Sequence, residues 1–211
     1  MKTRQGRFIT IEGIEGVGKT TNLEFIENYL RQRGIRLLCT REPGGTPLAE
    51  DLRALLLATR KEEVDAVTEL LLMFAARAQH VSTVIKPALA RGEWVLCDRF
   101  TDSSYAYQGG GRKIPEERID ELEHLVLGEF RPDLTIILDL PVEQGLLRAE
   151  KRSAKDRFEQ EERLFFSRVR QVYLQRAERF PQRCRVVKAS AALQKVQESL
   201  AKILDEFLLS D

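Results

Sequence analysis

The sequence predicts an α/β fold, a parallel sheet of five strands flanked by helices. Two observations carry the prediction. Five short apolar runs alternate with segments whose apolar residues recur every three or four positions. The first run, beginning at Phe8, ends in a glycine-rich turn that leads directly into a helical segment. A chain of 211 residues can bury a sizeable core as one domain, and no repeat, low-complexity tract or interdomain linker divides it.

That turn is the most informative stretch of the chain. Gly13, Gly16, Gly18, Lys19 and Thr20 fit G-x-x-x-x-G-K-[ST], with Ile14, Glu15 and Val17 among the variable positions. Glycines let the backbone curl so that its N–H groups converge on an anion, and the helix N-terminus that follows adds partial positive charge. Lys19 is expected to reach the β- and γ-phosphates of a nucleotide, and the Thr20 hydroxyl to ligate Mg²⁺.

The remaining elements follow in order. Leu23, Ile26 and Leu30 mark the first helix, and Gly34 is placed to stop it. Residues 36–39 form the second strand, and Thr40-Arg41-Glu42-Pro43-Gly44-Gly45-Thr46 a loop. A helix is predicted over about 48–57, and a longer one over 66–91, interrupted or kinked near Pro87. Residues 93–97 make the third strand, closing on Asp98-Arg99-Phe100. A polar, glycine-rich passage, 101–112, comes next, and a helix is predicted over 115–130 with Pro115 in its first turn. The nearly continuous apolar run 134–138 suits a central parallel strand. A helix over 142–150, a charged segment, a helix ending near Phe180, a strand at 185–187 and a last helix containing Leu193, Val196, Leu200, Ile203 and Phe207 complete the chain.

Totals exclude several classes. Thirty-four Lys and Arg against 33 Asp and Glu give a net charge of +1, which offers no general field for nucleic acid. No apolar run is long enough to span a membrane, and residues 1–7 lack a signal peptide's apolar stretch, so a cytoplasmic location is expected. Cys39, Cys97 and Cys184 lack CxxC spacing and read as buried free thiols in a reducing compartment.

In a parallel sheet ligands bind beyond the carboxyl ends of the strands, which gathers the phosphate loop, 41–46, 98–100 and the loop after 138 along one rim. There Asp98 is placed to hold Mg²⁺ through water, and Arg99 to fork onto phosphate oxygens, rather than forming an idle surface pair. Arg41 reads equally well as a second phosphate clamp or an ordinary solvated arginine. Phe74 and Arg77 are either a platform and reader for a base, or a core aromatic and a surface arginine; His80 reads as a surface or satisfied helical histidine. Residues 148–163 interleave Arg148, Lys151, Arg152, Lys155 and Arg157 with acidic residues. Such a run is either a solvated helical face or a mobile lid that carries arginines to a transferring phosphoryl group.

Taken together, the chain resembles the thymidylate kinases from Phe8 to its carboxyl end. Three blocks carry the resemblance: residues 13–21, residues 40–46, and Asp98-Arg99-Phe100-Thr101-Asp102-Ser103-Ser104-Tyr105-Ala106-Tyr107-Gln108-Gly109. The resemblance implies a P-loop NTPase fold of the nucleoside-monophosphate kinase type, transfer of the γ-phosphoryl group of ATP to dTMP, Mg²⁺ as cofactor, and a homodimer. It implies that residues 13–20 and Arg148 bind ATP. It places Glu15 near the sugar 3′-hydroxyl of dTMP, Arg41 and Arg99 on its phosphate, and Arg77 on a thymine carbonyl. Ser104 faces thymine N3, Gln108 follows in the same block, and Tyr107 packs where a ribose 2′-hydroxyl would project. The phosphate loop has no arginine, so the resemblance is to members whose catalytic arginine lies in the lid, here Arg152 before Arg148 or Arg157. Met73 stands where many members carry an aromatic residue, which leaves stacking on the base to Phe74.

Overall fold

The computed structural model describes residues 6–150 and 156–210. Its sheet has the order β2-β3-β1-β4-β5 with every pairing parallel, where β1 is Phe8–Glu12, β2 Leu37–Arg41, β3 Trp94–Asp98, β4 Leu134–Asp139 and β5 Cys184–Lys188. The central strand β1 is buried at every position, as expected for a strand covered on both faces. Ile11 stands opposite Asp98 of β3, and Glu12 opposite Ile137 of β4. The strand order therefore diverges on either side of β1, and the loop that follows it opens into the crevice there.

Helices α1 (Lys19–Arg31), α2 (Pro47–Leu57) and α3 (Ala66–His80) follow the expected pattern. Thr46 caps α2 by accepting from Ala49 N–H, and Asp65 caps α3 by accepting from Val67 and Thr68 N–H. The predicted interruption near Pro87 is a widened π turn at Val81–Ile85, in which Lys86 N–H reaches back to the Val81 carbonyl before α4 (Lys86–Ala90) resumes. Pro87 has no N–H for the carbonyl four residues earlier, and the wide turn spares the chain a sharp break.

The polar, glycine-rich passage, to which the sequence assigned no element, is helical, α5 (Thr101–Ser104) running into a π segment at Tyr105–Gly111. The glycines permit close approach rather than a loop. A Cβ on Gly110 would lie 2.9 Å from the Arg168 carbonyl, and one on Gly111 2.4 Å from the Phe165 ring. Arg168 donates to the carbonyls of Gly110 and Gly111 at 3.0 and 2.9 Å, fastening this segment to α8 (Arg163–Arg179). The remaining helices are α6 (Glu116–Leu127), α7 (Val142–Ala149) and α9 (Leu193–Leu209). Cys97 and Cys184 are buried free thiols, but Cys39 is exposed, because β2 is an edge strand and its side chain faces outward. No helix among the described residues is long and apolar enough to cross a membrane.

Candidate active site

The phosphate loop sits between the end of β1 and α1, with Gly13, Gly16 and Gly18 at positive φ. A Cβ on Gly16 would lie 2.0 Å from the carbonyl of Gly145, so the loop rests backbone-to-backbone on α7. Residues 15–20 form one wall of a cleft. The other walls come from Glu42 and Pro43 after β2, Arg53 and Leu57 of α2, Met73 and Arg77 of α3, residues 98–100, Ser103, Ser104, Tyr107 and Gln108, and Asp156, Phe158 and Glu159.

Arg99 is the hub. Its φ of 68° is unusual for a residue with a side chain, and this turn at the end of β3 aims the guanidinium back across the rim. Nη1 donates to the Gly13 carbonyl at 3.0 Å, Tyr173 Oη at 3.1 Å and Ser103 Oγ at 3.3 Å. Nη2 donates to Glu15 Oε1 and Tyr107 Oη, both at 3.0 Å. Tyr107 Oη in turn donates to the Glu15 carboxylate at 2.7 Å. Lys19 lies close by, its Nζ 3.5 Å from the Gly13 carbonyl. Burial and the charge of Arg99 lower its pKa from the ordinary lysine value. Two cations held together out of water favour an anion that would neutralise them, as a phosphate group does.

Beneath this hub lies Glu12, a buried carboxylate at the end of β1. It accepts from Phe100 N–H at 2.7 Å, Ser103 Oγ at 2.6 Å and Tyr173 Oη at 2.9 Å, and so holds the three groups around Arg99. Burial, and then the nearby charge of Asp102, push its pKa up to about 7. Between the ordinary value of 4.5 and about 7 the folded chain keeps a proton that the unfolded chain has released. The Glu12 contribution to stability therefore falls as pH rises through that window. Glu12→Gln is expected to remove a pH-dependent loss of about 3 kcal/mol, read by urea denaturation at a series of pH values. Parallel stability curves for the variant and the parent would show that Glu12 is ionised throughout.

Arg77 is buried, not at the surface. Nε donates to Glu42 Oε2 at 2.7 Å, Nη1 to Ser104 Oγ at 3.0 Å and Nη2 to the Phe100 carbonyl at 3.1 Å. His80 is fully buried and satisfied, with Nδ1 3.1 Å from Glu42 Oε1 and Nε2 2.7 Å from Thr40 Oγ1. Two expected residues lie elsewhere. Phe74 does not line the cleft but joins Leu70, Tyr105, Ile114 and Ile119 in a buried cluster. The helical repeat puts Met73, four residues before Arg77, on the cleft face, and turns Phe74 away from it to lie 4.6 Å from the Arg77 guanidinium. Arg41 is half-exposed, paired with Glu50 at 2.9 Å, and does not line the cleft. Arg53 takes that wall, donating to the Pro43 carbonyl at 2.8 Å, and its pKa is lowered by burial and by Arg41. The signal for Arg53 was its place two turns into a helix that starts at the rim.

Gly13 and Ile14 sit behind the loop, with Ile14 in the core. Arg148, on the last turn of α7, is exposed and does not line the cleft. Arg152 falls outside the described residues. Thr20 and Asp98 both line the cleft, and Asp98 Oδ1 is buried with no hydrogen-bond partner. An orphaned carboxylate oxygen in a cleft that a threonine also lines suits a hard, oxygen-liking cation such as Mg²⁺, held by few protein groups and by substrate phosphates. Among the described residues no cluster of three acidic, His or Cys side chains forms a dedicated metal cage.

A sequence model of the thymidylate kinase family matches residues 11–200. The chain is 60% identical to the thymidylate kinase of Pseudomonas syringae pv. tomato over 203 residues, covering 96% of this chain and 97% of that one. It is 58% identical to the thymidylate kinase of Teredinibacter turnerae, covering 96% and 99% of the two chains. The crystal structure of thymidylate kinase from Ehrlichia chaffeensis superposes with a TM-score of 0.77 at 35% identity, covering 95% of this chain and 99% of that one.

Proposed function

The chain belongs to the thymidylate kinase family and transfers the γ-phosphoryl group of ATP to dTMP, and from that premise we propose how the cleft does so. The observation that carries the proposal is the convergence on one cleft of the phosphate loop, the Asp98–Arg99 turn and the Arg77–Ser104–Gln108 wall. ATP lies along residues 13–20 with its γ-phosphate toward Lys19. The dTMP phosphate lies between Arg99 and Arg53, its sugar toward Glu15 and Tyr107, and its base among Met73, Arg77, Ser104 and Gln108.

The acceptor oxygen needs no general base, because a phosphomonoester with a second pKa near 6 is mostly dianionic at pH 7. The barrier lies in bringing two polyanions together and in stabilising charge on the phosphoryl group in flight. Lys19 and Arg99, fixed before substrate arrives, supply that stabilisation without reorganising. Thr20 and Asp98 would hold Mg²⁺, which neutralises charge on the phosphate oxygens when bound. The lid segment, about 148–163, closes over the cleft and excludes water. Arg152 is the first choice for the arginine it delivers; Arg157 is committed elsewhere, its Nε donating to the Leu56 carbonyl at 2.9 Å. Exposed Leu48, Leu55 and Leu71 on α2 and α3 suit a face covered by a second copy of the chain, a homodimer that sedimentation would test.

An ATP-coupled assay with dTMP, dUMP, AMP and CMP side by side tests the reading. Efficient phosphorylation of dTMP above the others is expected. Preference for another acceptor would point to a sister kinase, and slow hydrolysis with no phosphorylated product to a nucleotide-gated switch. Tyr107, buried against Phe158 with its hydroxyl on Glu15, is the side chain that would crowd a ribose 2′-hydroxyl. Tyr107→Ala is expected to narrow the preference for dTMP over its ribose analogue by about tenfold. An unchanged ratio would remove Tyr107 from sugar selection.

A further inference from the structure

Glu69 of α3 is fully buried, yet it meets three donors. Its carboxylate accepts from Gln108 Nε2 at 2.8 Å and pairs with Arg112 Nε at 3.2 Å and Arg157 Nη2 at 2.6 Å. Arg112 continues to Glu161 at 2.5 Å. Arg157 is further tied to α2, its backbone N–H reaching the Leu57 carbonyl at 3.3 Å, and its guanidinium lies 4.5 Å from the Phe158 ring. One carboxylate thus joins a cleft wall residue, Gln108, to the segment that brings Asp156, Phe158 and Glu159 to the same cleft.

We propose that Glu69 is a positioning residue that fixes which end of the Gln108 amide the acceptor base meets, and couples that choice to the seating of residues 156–161. The proposal rests on the reading above that Gln108 faces the base. A carboxylate can only accept, so the amide nitrogen of Gln108 must turn toward Glu69 and its carbonyl oxygen is the end left for the cleft. Thymine carries a hydrogen on N3 and satisfies that oxygen. Cytosine carries a lone pair there and meets it acceptor to acceptor, which leaves polar groups unpaired and costs affinity. The two guanidiniums hold Glu69 in place, so the selectivity of the base pocket depends on residues 156–161 being seated.

The test compares dTMP with dCMP in the full-length enzyme. A glutamine at position 69 both donates and accepts, so it no longer dictates the Gln108 amide. Glu69→Gln is expected to narrow the dTMP-over-dCMP ratio of kcat/KM by about tenfold, with the KM for ATP unchanged. A lowered melting temperature with the ratio unchanged would mean that Glu69 serves only the fold, and would overturn the proposal. If that variant does not fold, a double-mutant cycle decides. Gln108→Ala and Arg157→Ala together should cost about tenfold less in kcat/KM for dTMP than the product of their separate effects. Losses that multiply fully would refute the coupling. If Gln108→Ala leaves kcat/KM for dTMP untouched, Gln108 does not face the base, and the pocket reading fails along with the proposal.

Discussion

Arg99→Lys is expected to lower kcat/KM for dTMP by on the order of 10³ while the chain stays folded. The substitution keeps the charge and removes the fork. One guanidinium at present spans the Gly13 carbonyl, Ser103, Tyr173, Glu15 and Tyr107, which belong to β1's loop, α5, its π extension and α8. An ammonium is a point donor on a flexible stem and cannot hold that many groups in one plane. Its shorter reach would release the Gly13 carbonyl, so the phosphate loop loses its tie to the end of β3. The loss would fall on both substrates, because the side chain proposed to face the acceptor phosphate is also tied to the phosphate loop through the Gly13 carbonyl. Steady-state kinetics with ATP and dTMP reads the effect. A variant within threefold of the parent would show that charge alone suffices and that the fork is incidental.

Much of the architecture is legible from side-chain period alone. All five strands fall within two residues of the apolar runs, and the inner strands β1, β3 and β4, covered on both faces, have little choice but to be apolar. The phosphate loop is equally legible, because its chemistry demands small residues at fixed spacing. What escapes the sequence is what depends on partners distant along the chain. Gly109, Gly110 and Gly111 look like a loop until α8 lies against them and excludes any Cβ from the last two. Phe74 and Met73 are adjacent, and only the rotation of α3 against the core decides which meets the cleft. Arg41 and Arg53 are both near the rim, and only the fold shows that Glu50 pairs with the first while the second lines the cleft. Glu12 and Glu69 carry no local signal, because a lone glutamate beside apolar residues reads as a solvated one until its donors converge on it.

Asp102→Asn is expected to destabilise the fold by about 3 kcal/mol and to lower the melting temperature by about 10 °C, with a smaller effect on the KM for either substrate. Asp102 is fully buried, 2.5 Å from Arg176 Nε and 2.8 and 3.0 Å from the two terminal nitrogens of Arg183. Arg183 also donates to Thr135 Oγ1 at 2.9 Å, whose hydroxyl lies 2.9 Å from that of Thr10, so the cluster joins α5 and α8 to β4 and β1. Burial alone would raise the Asp102 pKa, but the charges and hydrogen bonds of Arg176 and Arg183 outweigh it and hold the carboxyl at about 2. An asparagine keeps the shape and leaves two buried guanidiniums without their anion, the costly way to break such a cluster. The sign of the pH dependence follows from the lowered value. The stabilisation is whole above the ordinary value of 3.8 and is lost as pH falls toward about 2, so the parent should shed it on acidification while the variant has none to shed. Thermal melts at pH 7 and near pH 3 measure both effects. A variant that melts within 2 °C of the parent at pH 7 would mean that water or a shifted side chain already compensates the two arginines, and that the cluster serves specificity of packing rather than stability.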